Sequence, residues 1–105
     1  MNAEYRIVFT KKADKQLSNL LHNNISLATK INRVLHQLTL DPYYPGLRTH
    51  KVKTPEYGEI FSSRVTGDIR ILWNFREKNI EILIYTIGGH SGKHKVYKWL
   101  VNQFY

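Results

Sequence analysis

Apolar residues in the first forty positions recur at two different spacings. Tyr5-Arg-Ile-Val-Phe9 is short, rich in β-forming side chains and weakly alternating, which predicts a first strand. After it, Ala13, Leu17, Leu20 and Leu21 fall on one helical face, with Thr10 suited to cap a helix over about 11–22. Asn23-Asn24 interrupts that pattern. Ser26 is the expected cap of a second helix, whose stripe is Leu27, Ile31, Val34, Leu35 and Leu38. Asp41-Pro42 ends it, because proline disfavours helical backbone in the residue before it. Two amphipathic helices separated by so short a break predict a helical hairpin.

Residues 41 to 58 are punctuated by Pro42, Pro45, Gly46 and Pro55 and read as a loop, with room for a short strand around Leu47 to Lys53. Three patterned stretches follow: Glu59 to Val65, Ile69 to Phe75 and Ile80 to Ile87. In the middle one Ile69, Ile71, Trp73 and Phe75 share one face while Arg70, Leu72 and Asn74 share the other. Thr66-Gly67-Asp68 and Arg76 to Asn79 are suitable hairpin connections. The pattern predicts an α+β fold: an N-terminal strand, a helical hairpin, then an antiparallel sheet of three to four strands and a short helix from about Lys95. The first strand is expected to add at one edge, with the helices on one face of the sheet. No repeat or linker divides the chain, so residues 1–105 are read as one domain.

Composition narrows the chemistry. Sixteen Lys and Arg against eight Asp and Glu give a formal charge of +8 on 105 residues. Such a balance favours a polyanionic partner or an acidic protein that covers the surface, against the plainer reading of a surface made soluble by charge. From residue 82 onward there are three lysines, two histidines and no acidic side chain. Cysteine is absent, which removes disulfides, thiolate nucleophiles and cysteine-held metals. No signal-like or membrane-spanning apolar run is present, so a soluble, cytoplasmic chain with no membrane partner is expected.

Gly88-Gly-His-Ser-Gly-Lys-His94 superficially suggests a phosphate loop. Only three residues separate Gly88 from Gly92, and His94 stands where a magnesium-holding hydroxyl belongs, so that reading fails. A metal held by His90 and His94 would need further ligands, with His50 available only through tertiary proximity. No cofactor and no metal is expected. Cleavage of RNA by its own 2′-hydroxyl needs a proton acceptor, a proton donor and cations for the phosphorane. His50, Lys51 and Lys53 on the loop, Arg64 and Arg70 on strands, and His90, His94 and Tyr97 supply those types. Alternation alone makes Arg64 and Arg70 solvated mid-strand arginines. Tyr43, Tyr44 and Tyr57, with Tyr97 and Trp99, could stack on bases or simply pack, whereas Phe61, Trp73 and Phe75 are read as packing. His22 and His36 are read as structural or solvent-facing.

Ser63-Arg-Val-Thr-Gly-Asp-Ile-Arg-Ile-Leu-Trp73 and Ile84-Tyr-Thr-Ile-Gly-Gly-His-Ser91 resemble a known family. The first is similar to the Arg-Val-x-x-x-x-Arg-Ile strand pair of the RelE/ParE-like superfamily of toxin–antitoxin toxins, the second to its apolar strand ending in Gly-His or Gly-x-His. Lys95-Val-Tyr97 resembles its C-terminal Val-Tyr. Over nearly the whole chain, the resemblance implies a microbial RNase fold and an endoribonuclease that cuts messenger RNA, often on the ribosome, neutralised by a cognate antitoxin. By motif match His50, Asp68 and His90 correspond to acid–base positions of the YafQ-like branch, and Arg64 fills a strand slot that is arginine in RelE. Lys51 and Lys53 resemble the basic pair on the RelE loop, and Tyr97 its C-terminal aromatic residue. Arg48, Arg70, Lys93, His94 and Lys95 complete the expected RNA-binding set. The glycine-rich segment is longer than the compact family version, which leaves His90 or His94 at the phosphate, His90 being preferred. His50 is the first choice of base. The alternative on the same fold is a ParE-like inhibitor of DNA gyrase without RNase activity.

Overall fold

The computed structural model describes residues 4–22 and 24–89, and the closing helix expected from Lys95 lies outside the described residues. The chain runs β1 (Arg6–Phe9), α1 (Lys11–Leu21), α2 (Ile25–Leu40), a 3-10 turn at Pro45–Leu47, β2 (His50–Thr54), β3 (Gly58–Arg64), β4 (Ile69–Arg76) and β5 (Glu81–Gly89). The strands form one sheet in the order β1-β5-β4-β3-β2. Strands β2 to β5 are an antiparallel meander, and β1 joins its edge parallel to β5. That agrees with the expected α+β order and edge position of the first strand, and gives five strands among the described residues.

Both helices start where side chains satisfy backbone donors that the first turn leaves unpaired. Thr10 Oγ1 accepts from the Ala13 amide at 3.0 Å and donates to the Tyr85 carbonyl at 2.9 Å. One hydroxyl thus caps α1 and ties it to β5. Helix α2 is capped by Asn24, whose Oδ1 accepts from the Leu27 amide, and not by Ser26 as expected. The helix therefore begins at Ile25, an apolar residue 86% exposed and off the buried stripe, so periodicity gave no reason to start there. Its end at Leu40, with Asp41 as C-cap, is where Asp41-Pro42 predicts it.

The principal core lies between the helices and one sheet face. Ala13, Leu20, Ile31 and Leu38 meet Ile69, Ile71, Trp73, Ile82, Ile84 and Ile87 there, with Phe61 and Phe75 packed against them. The aromatic centre is directional: the Phe61 ring stacks on Trp73 at 4.8 Å and Phe75 meets Trp73 edge-on at 5.0 Å. A smaller cluster of Ile60 and Leu72, with Val52, Tyr57 and Tyr85 around it, occupies the opposite face and includes no residue of α1 or α2. That second face is called the outer face below.

Two local devices position the end of β5. The register passes from Trp73↔Ile84 to Leu72↔Thr86, so Tyr85 is an extra, bulged residue. Beyond Ile84 strand β1 has ended, and Gln16 of α1 takes its place: its Oε1 accepts from the Ile87 amide at 2.9 Å and from Thr86 Oγ1 at 2.8 Å. At the far end of the sheet Glu81 lies between Arg6 (2.7 Å) and Arg76 (3.0 Å), which are its register partners on the two neighbouring strands. None of the described helices is long and apolar enough to cross a membrane.

Candidate functional site

The outer face gathers cations by register. Arg64 stands directly opposite Arg70 across β3 and β4, and Arg70 stands opposite Gly88 on β5. One strand over, His50 faces Ser62, which makes it the diagonal neighbour of Arg64, at roughly 7–8 Å on the usual sheet geometry. Alternation puts all three on the face of Leu72 and Ile60, away from the helices.

Both arginines are half-buried where alternation alone makes them solvated. The cause is the β3–β4 turn. Thr66 Oγ1 accepts from the amides of Asp68 (3.1 Å) and Ile69 (2.9 Å), drawing residues 66–69 into a tight loop. The Arg70 guanidinium folds onto that loop and donates through Nη1 to the Thr66 carbonyl, with the Ile69 carbonyl 3.4 Å away. Arg64 Nη2 lies against Gly67, 3.7 Å from where a β-carbon would be. Two like charges directly opposite each other cost sheet stability, and here they converge on one turn.

Asp68 closes this turn against the end of β5, its carboxylate resting on the backbone of Gly89. A β-carbon at Gly89 would lie 3.0 Å from the Asp68 Cγ and 3.1 Å from Oδ1, so glycine is required for this approach.

His50 is exposed, and its Nδ1 lies 2.9 Å from the Arg48 carbonyl. A carbonyl oxygen only accepts, so Nδ1 carries the proton and the neutral ring presents its lone pair at Nε2. Arg48, at φ 49°, is left-handed, and this turns its carbonyl back toward the ring.

Lys51 and Lys53 belong to β2 and not to a loop, because pairing with β3 takes up their backbone. Being odd-numbered neighbours of His50 and Val52, they project to the opposite face, where Lys51 Nζ comes within 3.8 Å of Glu59. The register therefore brings His50, Arg64 and Arg70 to one face and separates Lys51 and Lys53 from them, whereas the Asp68 carboxylate lies against Gly89, the register partner of Ile69, on the side of the sheet that carries the core. Arg48 is exposed at the entrance to β2. His90, Lys93, His94, Lys95, Tyr97 and Trp99 lie outside the described residues.

The aromatic residues expected to flank the site divide. Tyr57 stacks on Tyr85 with ring centres 4.4 Å apart, and Tyr43 packs edge-on against Phe61, so both serve packing. Burial, then the hydrogen bond and charge of Glu56, push the Tyr57 hydroxyl up to about 12. Tyr44 is about half exposed. His22 and His36 are exposed on the helices.

No family model and no curated protein matches this sequence. Solved structures do match in fold. A YoeB/ParE toxin from Agrobacterium tumefaciens superposes with a TM-score of 0.70 at 14% identity, covering 82% of this chain and 99% of that one. The toxin fold is also found in an archaeal RelE–RelB complex from Pyrococcus horikoshii, at TM-score 0.65 and 18% identity, over 84% and 97% of the two chains. The DinJ–YafQ toxin–antitoxin complex of E. coli gives 0.63 at 12%, over 83% and 93%. At these identities the likeness carries the architecture: two helices against a mixed five-stranded sheet, in the arrangement of the RelE/ParE-like toxins.

Proposed function

We propose, from the premise that this chain has the RelE/ParE-like toxin fold, that it is the toxin of a type II toxin–antitoxin pair and cuts messenger RNA on the ribosome. One observation carries the reading: Arg64 and Arg70 face each other on the sheet face away from α1 and α2, with an imidazole beside them. A destabilising pair of like charges facing each other beside the β3–β4 turn is suited to a bound anion, and a phosphorane bears more negative charge than the diester it forms from.

In this mechanism the ribose 2′-oxygen attacks the adjacent phosphorus and its proton passes to Nε2 of His50. Arg64 and Arg70 neutralise the equatorial oxygens. The bond to the 5′-oxygen breaks as His90 gives that oxygen a proton, leaving a 2′,3′-cyclic phosphate and a free 5′-hydroxyl. Asp68 orients a histidine, and Tyr97 stacks on a base or donates a proton. Arg48, Lys93, His94 and Lys95 hold neighbouring phosphates, while Lys51 and Lys53 contribute charge from the far side of β2. The partner that silences the protein is a cognate antitoxin, as RelB and DinJ accompany RelE and YafQ in the matching complexes. The setting is the cytoplasm.

Cell-free translation followed by primer extension tests this reading. New cuts at defined positions that persist in EDTA support it. Intact message together with inhibited DNA supercoiling would replace it with gyrase inhibition on the same fold.

A further inference from the structure

A chain of hydroxyls runs from the core to the loop that ends in His50. Thr49 Oγ1 donates to the Pro42 carbonyl at 2.7 Å, which commits its only hydrogen. The 2.7 Å contact between Thr49 Oγ1 and Ser63 Oγ must then have Ser63 as donor. Ser63 in turn accepts from Trp73 Nε1 at 2.8 Å. Donation therefore runs one way: indole to Ser63, Ser63 to Thr49, Thr49 to the Pro42 carbonyl.

Its two hydroxyl residues adjoin the site residues in sequence and project to the opposite, core-side face, so they act on the site through the backbone they share with it. Thr49 lies between Arg48 and His50, and Ser63 between Ser62, the register partner of His50, and Arg64. The Trp73 anchor is fully buried and cannot shift without disturbing the core. Thr49 also belongs to the peptide segment between the imidazole and its own acceptor, the Arg48 carbonyl. Apolar residues could fill this space, but they would not set a direction. Hydrogen bonds do.

We infer that Thr49 and Ser63 are positioning residues that hold His50 at a fixed distance from Arg64 with Nε2 presented toward the outer face. This rests on the RNA-cleaving role of that face. A base held loosely about 1 Å from its productive place loses up to about 10²-fold in rate without losing substrate affinity.

The test compares Thr49→Val, which keeps the shape and removes the hydroxyl, with Thr49→Ser, which keeps the hydroxyl. Message cleavage is resolved into kcat and KM, and the ¹⁵N shifts of the His50 ring are read on the free protein. Thr49→Val is expected to lower kcat about 10-fold or more with KM within about twofold, while Thr49→Ser stays within about twofold of wild type. Only Thr49→Val should move the ring from the Nδ1–H form to a mixture of tautomers. Loss of folded protein lowers the signal but leaves the tautomer of the folded molecules unchanged. If Thr49→Val does not fold, Thr49→Ala, which removes volume, is read in the same way. Wild-type kcat in the hydroxyl-free variant, or an unaltered His50 tautomer, overturns the inference. Should the wild-type protein leave message intact, the cleavage reading falls instead, and the ring shifts alone decide whether Thr49 positions His50.

Discussion

Asp68 and Gly89 occupy the same small space from opposite sides: the carboxylate lies where a side chain on Gly89 would begin. The β3–β4 turn and the end of β5 are thereby in direct contact. Gly89→Ala should displace the carboxylate and not unfold the protein, because a short side chain can rotate away. We expect a cost of about 1–2 kcal/mol in urea unfolding, typical of overpacking. Cleavage should fall as far as it does in Asp68→Ala. The double variant should lose less than the sum of the two, since both remove one contact.

Replacing Arg64 separates function from stability. Arg64→Gln removes one of two facing charges, so the unfolding free energy should be unchanged or rise by up to about 1 kcal/mol. Message cleavage should drop on the order of 10²-fold. The log–log salt slope of message binding should flatten by about one unit if Arg64 contacts a phosphate. Equal losses of stability and activity would assign Arg64 a structural role.

Gln16 closes the edge that β1 leaves open. Gln16→Leu strands the Ile87 amide and the Thr86 hydroxyl together, and should destabilise the protein by about 2–6 kcal/mol at about 1–3 kcal/mol per lost partner. Gln16→Glu keeps an acceptor in place and should cost clearly less. Thermal or urea unfolding of the two variants decides.

Tyr57 predicts an alkaline limit. Burial, together with Glu56, raises its hydroxyl from 10.0 to about 12, so between those values the unfolded chain loses this proton and the folded one keeps it. The contribution is complete below pH 10 and is lost as pH climbs toward 12. In Tyr57→Phe that part of the stability loss should vanish, and the 295 nm phenolate titration should lose a component near pH 12.

Much of the fold is legible because its two periods differ. Ile69, Ile71, Trp73 and Phe75 alternate, while Leu27, Ile31, Val34, Leu35 and Leu38 step by three and four. The start of β2 is harder to read. Pro45, Gly46 and Leu47 form a tight turn whose Leu47 plugs the core, and pairing begins only at His50. The site is legible by residue type and illegible by register. That Arg64 opposes Arg70 follows from the length of the Thr66–Asp68 turn, and that Lys51 and Lys53 turn away from His50 follows from β2 being a strand. The Trp73–Ser63–Thr49 chain leaves only a faint mark: a serine amid strand aromatics, where a buried indole needs an acceptor.

The borders of the sheet carry one more consequence. On one side β1 offers only four residues, and beyond it Thr10 and Gln16 engage the Tyr85 carbonyl and the Ile87 amide of β5. On the other, β2 carries Lys51 and Lys53 along its length. A second copy seeking to extend the ladder meets too short a template at the first border and repelling ammonium groups at the second. Among the described residues both rims therefore discourage strand-to-strand stacking of copies.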